Sequence, residues 1–370
     1  MSASTLSRFQ GTLLGVLVGD CLGGPFEGSK YVSKAHLNKY FAKMLDPSVR
    51  LPFKTYTDDT AMTKSVALSL IQCRRVDPMD MAKRFVSEYN ADPKRGYGAT
   101  VGDVFQNLHL TAFEDPFGPA SRQFGGMGSY GNGAAMRISP VPLFTHSTSD
   151  ESDDLSTLLA AVETCSKVTH SNPLGIRGAI LHAIAVRAAL RHKAGEKMDT
   201  TAFTNGLIDI MAQVEGADSG KAHMTHSKLD KDPETSYVKK LEIVRSFLAL
   251  NEPPHREEIE EVLGTAVSAH RSVPTALYCF LAAQKPIPEI ETDNVFQRAL
   301  MLSFHLGGDT DTIGSMAGAL AGAQFGLDGI PSGLLKHCEA TKQAVQWGED
   351  LFNLAETSSS ASSKGTQRSS

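Results

Sequence analysis

Two short stretches of the chain combine neighbouring aspartates with threonines, residue types whose oxygens bind hard cations. They are Thr-Asp-Asp-Thr at 57–60 and Asp-Thr-Asp-Thr at 309–312, and each precedes a run with helical periodicity. Capping of a helix N-terminus needs only one such residue and is the simpler interpretation of either stretch alone. Adjacent carboxylates repel one another, however, so capping explains two such pairs poorly.

If the fold brings the two stretches together, their four carboxylates need bound cations to offset the charge. Neither stretch contains His or Cys, so the all-oxygen ligand set favours Mg²⁺, Mn²⁺ or Ca²⁺ over Zn²⁺. Two such ions would orient a substrate diol and polarise a water molecule. Because 252 residues separate Asp59 from Asp311, this convergence is a prediction about the fold.

Further acids near the N-terminus could belong to the same site. Glu27 lies in the glycine- and proline-rich run 24–28, and a mobile loop there would carry it over the cations. The alternative is a solvated loop acid, since most glutamates are exposed. Asp20 follows a run that reads as a buried helix. His170 ends a helical run before Pro173, a position where a cation is favourable.

Residues 125–133 form a glycine-rich stretch that contains the Gly-x-Gly-x-x-Gly spacing of a dinucleotide-binding loop. No apolar strand precedes it and no Gly-Lys-Ser/Thr follows it, so neither a Rossmann fold nor a P-loop is indicated. Successive glycines still expose backbone N–H groups that hold phosphate. Phe124 and Tyr130 flank the stretch and favour an adenine nucleotide, with an ordinary flexible turn as the alternative.

The elements that must position these residues are predicted to be helices. Period-two alternation is scarce, and the best strand candidate, 141–144, is short and contains proline. We therefore predict an all-α fold, a single compact orthogonal bundle of many helices with a di-metal cleft. Apolar residues recur at helical spacing over 6–17, 62–71, 155–165, 174–190 and 238–248.

A stripe of small residues near the C-terminal end, Gly314, Gly318 and Gly322, predicts close packing of two helices. The apolar run around it, 313–325, is shorter than the roughly 20 residues that a membrane span needs, and so is 13–18. The stretch 215–237 is polar and predicts a loop insertion.

Composition restricts the class of protein further. The 370 residues carry 36 Lys+Arg against 41 Asp+Glu, and the sequence contains no run of basic residues. This charge pattern argues against a nucleic-acid partner. Five cysteines without a CxxC pair indicate neither a zinc site nor a disulfide framework, and they favour a reducing compartment. Only Arg8 supplies positive charge before the first apolar run, so a secretory signal is not expected.

Together these motifs resemble the ADP-ribosylglycohydrolases of the dinitrogenase-reductase-activating glycohydrolase type, and within that family the branch that acts on serine. The resemblance extends from about residue 6 to 355, and we predict one domain over 1–355. The serine-rich composition that follows predicts a disordered tail over 356–370. The Glu27 loop and the 128–133 stretch are the features typical of the serine branch. The stretches that carry the resemblance are 19–21, 56–60, 92–98, 128–133, 272–276 and 306–312.

The resemblance implies an all-α enzyme with two Mg²⁺ ions, or Mn²⁺ in their place. It would hydrolyse the O-glycosidic bond between ADP-ribose and protein serine, and also poly(ADP-ribose) and O-acetyl-ADP-ribose. Glu27 matches the catalytic acid, and Asp311 matches a ligand that bridges the two ions. The matched metal ligands are Thr57, Asp58, Asp59, Asp309, Asp311 and Thr312. The matched substrate contacts are Phe124, Gly128, Ser129, Tyr130, Asn132 and His170.

The expected reaction is cleavage at the anomeric carbon through an oxocarbenium-like transition state, with Glu27 protonating the departing serine oxygen or managing the water. The expected partners are ADP-ribosylated proteins and ADP-ribose polymers, with no membrane and no direct nucleic-acid contact. We expect a monomer in cytoplasm and nucleus that acts in the DNA damage response, with the mitochondrial matrix as a further location. Two alternatives stay open: a hydrolase of arginine-linked ADP-ribose with the same fold, and a non-catalytic ADP-ribose-binding module.

Overall fold

A computed structural model describes residues 3–146, 155–193, 195–217 and 234–366. Within these ranges the chain forms helices, and two isolated bridges are the only β-type pairings. The prediction of an all-α fold is confirmed. The α-helices are α1 (Thr5–Gly23), α2 (Lys34–Leu45), α3 (Asp58–Cys73), α4 (Pro78–Ala91), α5 (Val101–Leu110), α6 (Gly118–Arg122), α7 (Gly133–Met136), α8 (Pro140–Phe144), α9 (Leu155–Lys167), α10 (Pro173–Arg191), α11 (Thr200–Ala217), α12 (Tyr237–Ala249), α13 (Arg256–Val262), α14 (Val273–Ala282), α15 (Val295–Leu306), α16 (Thr310–Phe325), α17 (Ser332–Leu335) and α18 (Thr341–Thr366).

Helices α1 and α16 lie side by side at the centre of the fold, with glycines facing glycines. A Cβ atom added to Gly23 would lie 2.5 Å from the Thr310 carbonyl oxygen. One added to Gly11 would lie 2.5 Å from the Gly326 carbonyl carbon, so neither position has room for a side chain. The glycine stripe therefore packs helix on helix, and it brings the end of α1 to the start of α16.

The remaining helices enclose this central pair. Helices α14, α15 and α10 pack on α16, and α18 packs on α1. Among the described residues, α10 alone is long and apolar enough to cross a membrane, but 72% of its apolar window is buried inside the protein, as in a core helix. The strand candidate 141–144 is helical and lies in α8, where Pro140 in the first turn supplies a φ angle suited to a helix.

Two predicted boundaries fall next to residues outside the described ranges. Helix α11 runs to Ala217 and α12 starts at Tyr237, so both ends of the predicted loop insertion 215–237 are helical and residues 218–233 are not described. Helix α18 continues to Thr366, beyond the predicted boundary at residue 356. The division into a domain over 1–355 and a disordered tail over 356–370 stays a prediction.

The buried His182 of α10 predicts a pH dependence of stability. Its Nε2 lies 3.1 Å from Ser139 Oγ, and burial lowers the pKa of the imidazole to about 3. Below pH 6.5 the unfolded chain binds a proton that the folded chain does not, so this residue's contribution to stability is lost as pH falls toward 3. From pH 7 to pH 5, the free energy of unfolding of His182→Gln should rise relative to wild type by about 2 kcal/mol.

Urea unfolding of both proteins at the two pH values measures this difference. His109→Gln, at an exposed position of α5, controls for the loss of a histidine outside the core. A difference between His182→Gln and wild type that does not change with pH would contradict a neutral buried imidazole.

Candidate active site

The two acidic stretches meet at the N-termini of α3 and α16. Asp59 Oδ2 accepts a hydrogen bond from Thr57 Oγ1 at 3.0 Å and another from Thr312 Oγ1 at 3.3 Å. Asp59 Oδ2 thus bonds a residue that is 253 positions away in the chain. The predicted convergence of the two acidic stretches is therefore present in the structure.

Glu27 also reaches this cluster. Ligand oxygens of Glu27, Asp309 and Asp311 lie within 4.8 Å of one another, with Glu27 exposed and the two aspartates buried. Asp309 Oδ2 also accepts a hydrogen bond of 2.6 Å from the side-chain amide of Asn132. The predicted acid, the α16 motif and one predicted substrate contact therefore belong to one site.

The electrostatics of the cluster favour a bound cation. Burial, followed by repulsion from Asp311, raises the pKa of Asp58 and of Asp59 well above the usual range. Burial and the neighbouring Asp309 raise the pKa of Asp311 to about 7. Asp59 Oδ1 is buried and has no hydrogen-bond partner in the protein. Carboxylate and hydroxyl oxygens with an orphaned acceptor among them fit a hard divalent cation.

Asp20 supports the site from beneath. Both of its carboxylate oxygens accept from the Thr57 backbone N–H, at 2.9 and 3.1 Å, and Oδ2 also accepts from the Thr60 N–H at 3.0 Å and the Thr60 hydroxyl at 2.5 Å. Burial, opposed in part by the bond from Thr60, raises the pKa of Asp20 to about 7. Its hydrogen bonds therefore fix the first turn of α3.

Glu27 lies on a turn that is anchored on both sides. The Phe26 ring is buried against Tyr40, with ring centroids 5.0 Å apart. On the other side, Gly28 N–H donates to the Gly308 carbonyl at 2.9 Å, and Gly308 N–H donates to the Ser29 carbonyl at 2.8 Å. These bonds tie the Glu27 segment directly to the residue before Asp309. Burial and Asp311 both raise the pKa of Glu27.

The glycine-rich stretch lies beside the same cluster. Asn132 N–H donates to the Val267 carbonyl at 2.8 Å, and the Tyr130 carbonyl accepts from Ala269 N–H at 3.0 Å. Ser129 Oγ accepts from Gly131 N–H at 3.2 Å, which fixes the turn between Ser129 and Asn132. The stretch is thus held in one conformation next to Asp309.

Two other predicted substrate contacts, Phe124 and Gly128, lie at the start of this stretch. Phe124 is 49% exposed and, like Gly128, has a positive φ angle. The space beside Gly128 is filled by Ser171, so only glycine fits there. The segment thus combines the exposed ring of Phe124 with glycine backbone that carries no side chain.

His170 packs beneath this stretch. A Cβ atom on Gly133 would lie 2.9 Å from the His170 ring, and His170 Nδ1 lies 2.7 Å from Thr169 Oγ1. Burial and the neighbouring Arg137 lower the pKa of the imidazole to about 3, so it is neutral at physiological pH. The interpretation of His170 as a helix-end cation is therefore wrong.

Two residues of the site were not among the predicted site residues, although Ser272 lies in the 272–276 stretch that carries the family resemblance. Ser272 Oγ accepts a hydrogen bond of 3.1 Å from the Asn132 side-chain amide, which also bonds Asp309. Thr265 supplies the carbonyl that accepts from Asp309 N–H at 2.9 Å. Ser272 lies before Pro274 at the start of α14, a helix-start signal, whereas nothing near Thr265 indicates its role.

A separate cavity of about 1000 Å³ lies beyond the Glu27 segment. Its lining includes Lys30, Tyr31, Arg256 and His305 and contains none of the predicted site residues. It is therefore distinct from the acidic cluster.

Known proteins share both sequence and fold with this chain. Residues 1–362 match the family model described as ADP-ribosylglycohydrolase. A protein named ADP-ribosylhydrolase ARH3 from Xenopus tropicalis is 41% identical over 356 residues, which cover 96% of this chain and 97% of that protein. The protein of the same name from Homo sapiens is 37% identical over 364 residues, with 96% of each chain covered.

A solved structure named ADP-ribosylglycohydrolase-related protein complex has the same fold. Its TM-score is 0.59 at 23% identity, and the match covers 95% of this chain and 99% of that one. The family model and the two relatives of the same name show that the chain belongs to the ADP-ribosylglycohydrolase family and is a glycosidase.

Proposed function

We propose that the protein is a Mg²⁺-dependent hydrolase that releases ADP-ribose from protein serine and also cleaves poly(ADP-ribose) and O-acetyl-ADP-ribose. The observation that carries this proposal is the junction at Asp59, where Oδ2 bonds threonines of both acidic stretches and Oδ1 has no partner. The relatives named ADP-ribosylhydrolase support the choice of ADP-ribose as the substrate group.

The residues proposed to hold two divalent ions share oxygen donors at the N-termini of α3 and α16. When bound, Mg²⁺ or Mn²⁺ would supply positive charge and Lewis acidity for the ribose hydroxyls and a water molecule. Asn132 contributes indirectly, because its amide N–H bond to Asp309 Oδ2 fixes the orientation of that carboxylate. The proposed ligands are Thr57, Asp58, Asp59, Asp309, Asp311 and Thr312.

Glu27 is the proposed proton donor to the leaving group. A serine alkoxide is a poor leaving group, so cleavage of an O-glycosidic bond gains from protonation of the departing oxygen. Glu27 is the exposed member of the Glu27, Asp309 and Asp311 group, and this exposure supports the approach of a bulky protein substrate. A leaving arginine side chain is already a charged guanidinium and needs this proton less.

The glycine-rich stretch is the proposed binding site for the rest of ADP-ribose. Its backbone N–H groups suit the diphosphate, and the exposed ring of Phe124 with Tyr130 suits the adenine. The neutral His170 supports this stretch from below, and Gly128, Ser129 and Asn132 complete the proposed substrate contacts.

Peptides that carry ADP-ribose on serine or on arginine, offered in parallel, test the proposed substrate. Wild type with Mg²⁺ should release ADP-ribose from the serine peptide, and a chelator should abolish that release. Glu27→Gln should slow it by about 10²- to 10⁴-fold, the usual contribution of a general acid. The exposed Glu114 gives the control, and Glu114→Gln should retain wild-type activity.

Other outcomes select the alternatives. Release from the arginine peptide alone would show that the enzyme acts on ADP-ribose linked to arginine and not to serine. Binding of ADP-ribose without release from either peptide would identify a binding module. Poly(ADP-ribose) and O-acetyl-ADP-ribose are tested in the same format.

The setting of this activity is also part of the proposal. We propose that the protein acts as a monomer on ADP-ribosylated proteins and ADP-ribose polymers, without direct contact with nucleic acid or membrane. The proposed location is cytoplasm and nucleus, with the mitochondrial matrix as an alternative. A role in the DNA damage response would follow from those substrates.

A further inference from the structure

The backbone that leads into α3 is held by residues that are distant in the sequence. Tyr56 N–H donates to Glu339 Oε2 at 3.2 Å, and the Tyr56 carbonyl accepts from Arg95 Nη1 at 2.6 Å. Two residues later, Asp58 N–H donates to the Arg95 backbone carbonyl at 2.7 Å. Arg95 therefore bonds the chain on both sides of Thr57.

Arg95 and Glu339 also bond each other through two contacts. Nη1 lies 3.1 Å from Oε2 and Nη2 lies 3.2 Å from Oε1, which is the paired geometry that only a guanidinium provides. The guanidinium carbon lies 3.8 Å from the centroid of the Tyr56 ring. The two charged side chains are 15% and 28% exposed, so solvent screens the pair only in part.

The segment between α17 and α18, which carries Glu339, is bonded to the backbone that leads into α3. Lys54 N–H donates to the His337 carbonyl at 2.8 Å, and Glu339 N–H donates to the Lys54 carbonyl at 2.9 Å. Glu339 therefore reaches Tyr56 from a segment with little freedom of its own. This arrangement transmits the position of this segment to the start of α3.

The same contacts reach the side chains of the acidic motif. A Cβ atom on Gly96, next to Arg95, would lie 3.5 Å from Asp58 Oδ1, so the 95–96 backbone borders that carboxylate. The Thr57 N–H in turn donates to Asp20 Oδ1 at 2.9 Å. With its neighbouring backbone groups fixed in this way, Asp58 has little freedom to turn away from Asp311.

We propose that Arg95 and Glu339 are positioning residues that act through Thr57 and Asp58 to set the affinity of the site for a divalent cation. This inference rests on the proposed metal site. It adds that cation binding also requires two residues that are not themselves ligands. Lysine in place of Arg95 keeps the charge but cannot bond Glu339 twice and the Tyr56 carbonyl as well. Charge alone is therefore insufficient at this position.

Titration of the full chain with Mn²⁺, followed by the EPR signal of free Mn²⁺, tests the proposal. Arg95→Lys should weaken Mn²⁺ binding by about 10- to 100-fold, the usual effect of residues that orient metal ligands. Arg84→Lys is the matched control, because Arg84 on α4 also bonds a carboxylate, Asp80 at 2.6 Å, and an amide, Gln72 at 3.1 Å. The control should bind Mn²⁺ like wild type.

Two further measurements separate positioning from a structural role. Glu339→Gln removes one acceptor without changing shape, and it should weaken Mn²⁺ binding in the same direction. Both variants should regain much of their hydrolase activity at high Mg²⁺, because the ligands themselves are intact. Thermal unfolding in chelator reports the fold of each variant independently.

The outcomes distinguish this inference from the proposed function. If Asp59→Asn abolishes Mn²⁺ binding while Arg95→Lys and Glu339→Gln bind within twofold of wild type, the metal site stands and the positioning role is overturned. The same holds if the two variants lose only thermal stability. If wild type binds no Mn²⁺, the metal site and the positioning role both fail.

Discussion

Asp311→Asn should lower kcat/KM for the serine-linked substrate by about 10³-fold or more while the protein stays folded. Asp311 borders both Glu27 and Asp309. Burial, followed by the charge of Asp311, raises the pKa of Asp58 and Asp59 in the other motif. An asparagine there keeps the oxygen that accepts from Thr312 N–H at 2.9 Å but removes the charge. The loss should therefore fall on catalysis.

Stability in chelator gives this prediction a second readout. Removal of one carboxylate from a crowded buried cluster relieves repulsion, so the Tm of Asp311→Asn without metal should equal or exceed that of wild type. Asp328→Asn, at an exposed position after α16, removes a charge outside the site and should keep full activity. Retention of more than half the activity by Asp311→Asn would contradict the two-metal account.

The second large effect is expected from Gly15→Val in α1. A Cβ atom at this position would overlap the Gly318 carbonyl of α16, and backbone cannot move aside as a flexible side chain can. We expect a loss of about 4 kcal/mol or more in the free energy of unfolding, at the extreme of single substitutions. Because α1 and α16 carry Asp20 and Asp311, any folded remainder should also bind metal poorly.

Gly206→Ala in α11 is the matched control for this substitution. Nothing lies within 4 Å of a Cβ atom there, so alanine should stabilise the helix by about 0.5–1 kcal/mol. Urea unfolding measures both variants. A Gly15→Val protein as stable as wild type would show that the two helices can separate without loss.

The chemistry of the site was predictable from residue types, whereas its assembly was not. Carboxylates and threonines in two stretches indicated hard cations, but only the fold shows Thr57 and Thr312 bonding one oxygen of Asp59. Asp20 looked like another acid of the site. Its supporting role depends on N–H groups 37 and 40 residues away, which no local pattern indicates.

The packing of α1 on α16 has a signal in the sequence of both helices. The stripe on α16 predicted close packing, and a matching stripe of glycines at 11, 15, 19 and 23 would have identified α1 as its partner. The charge state of His170 depends on burial, which its position at a helix end does not reveal. The hydrogen bonds between Arg95 and Glu339 join residues 244 positions apart, and no local sequence pattern predicts them.

The central claim is that two distant acidic motifs form one metal centre, and a double-mutant cycle on Mn²⁺ affinity tests it most directly. Wild type, Asp59→Asn, Asp311→Asn and the double variant are titrated under the same conditions. Either single substitution should weaken binding by at least about tenfold, and the double variant should bind little worse than the weaker single variant. Effects that add independently, or a loss confined to one motif, would contradict a shared centre.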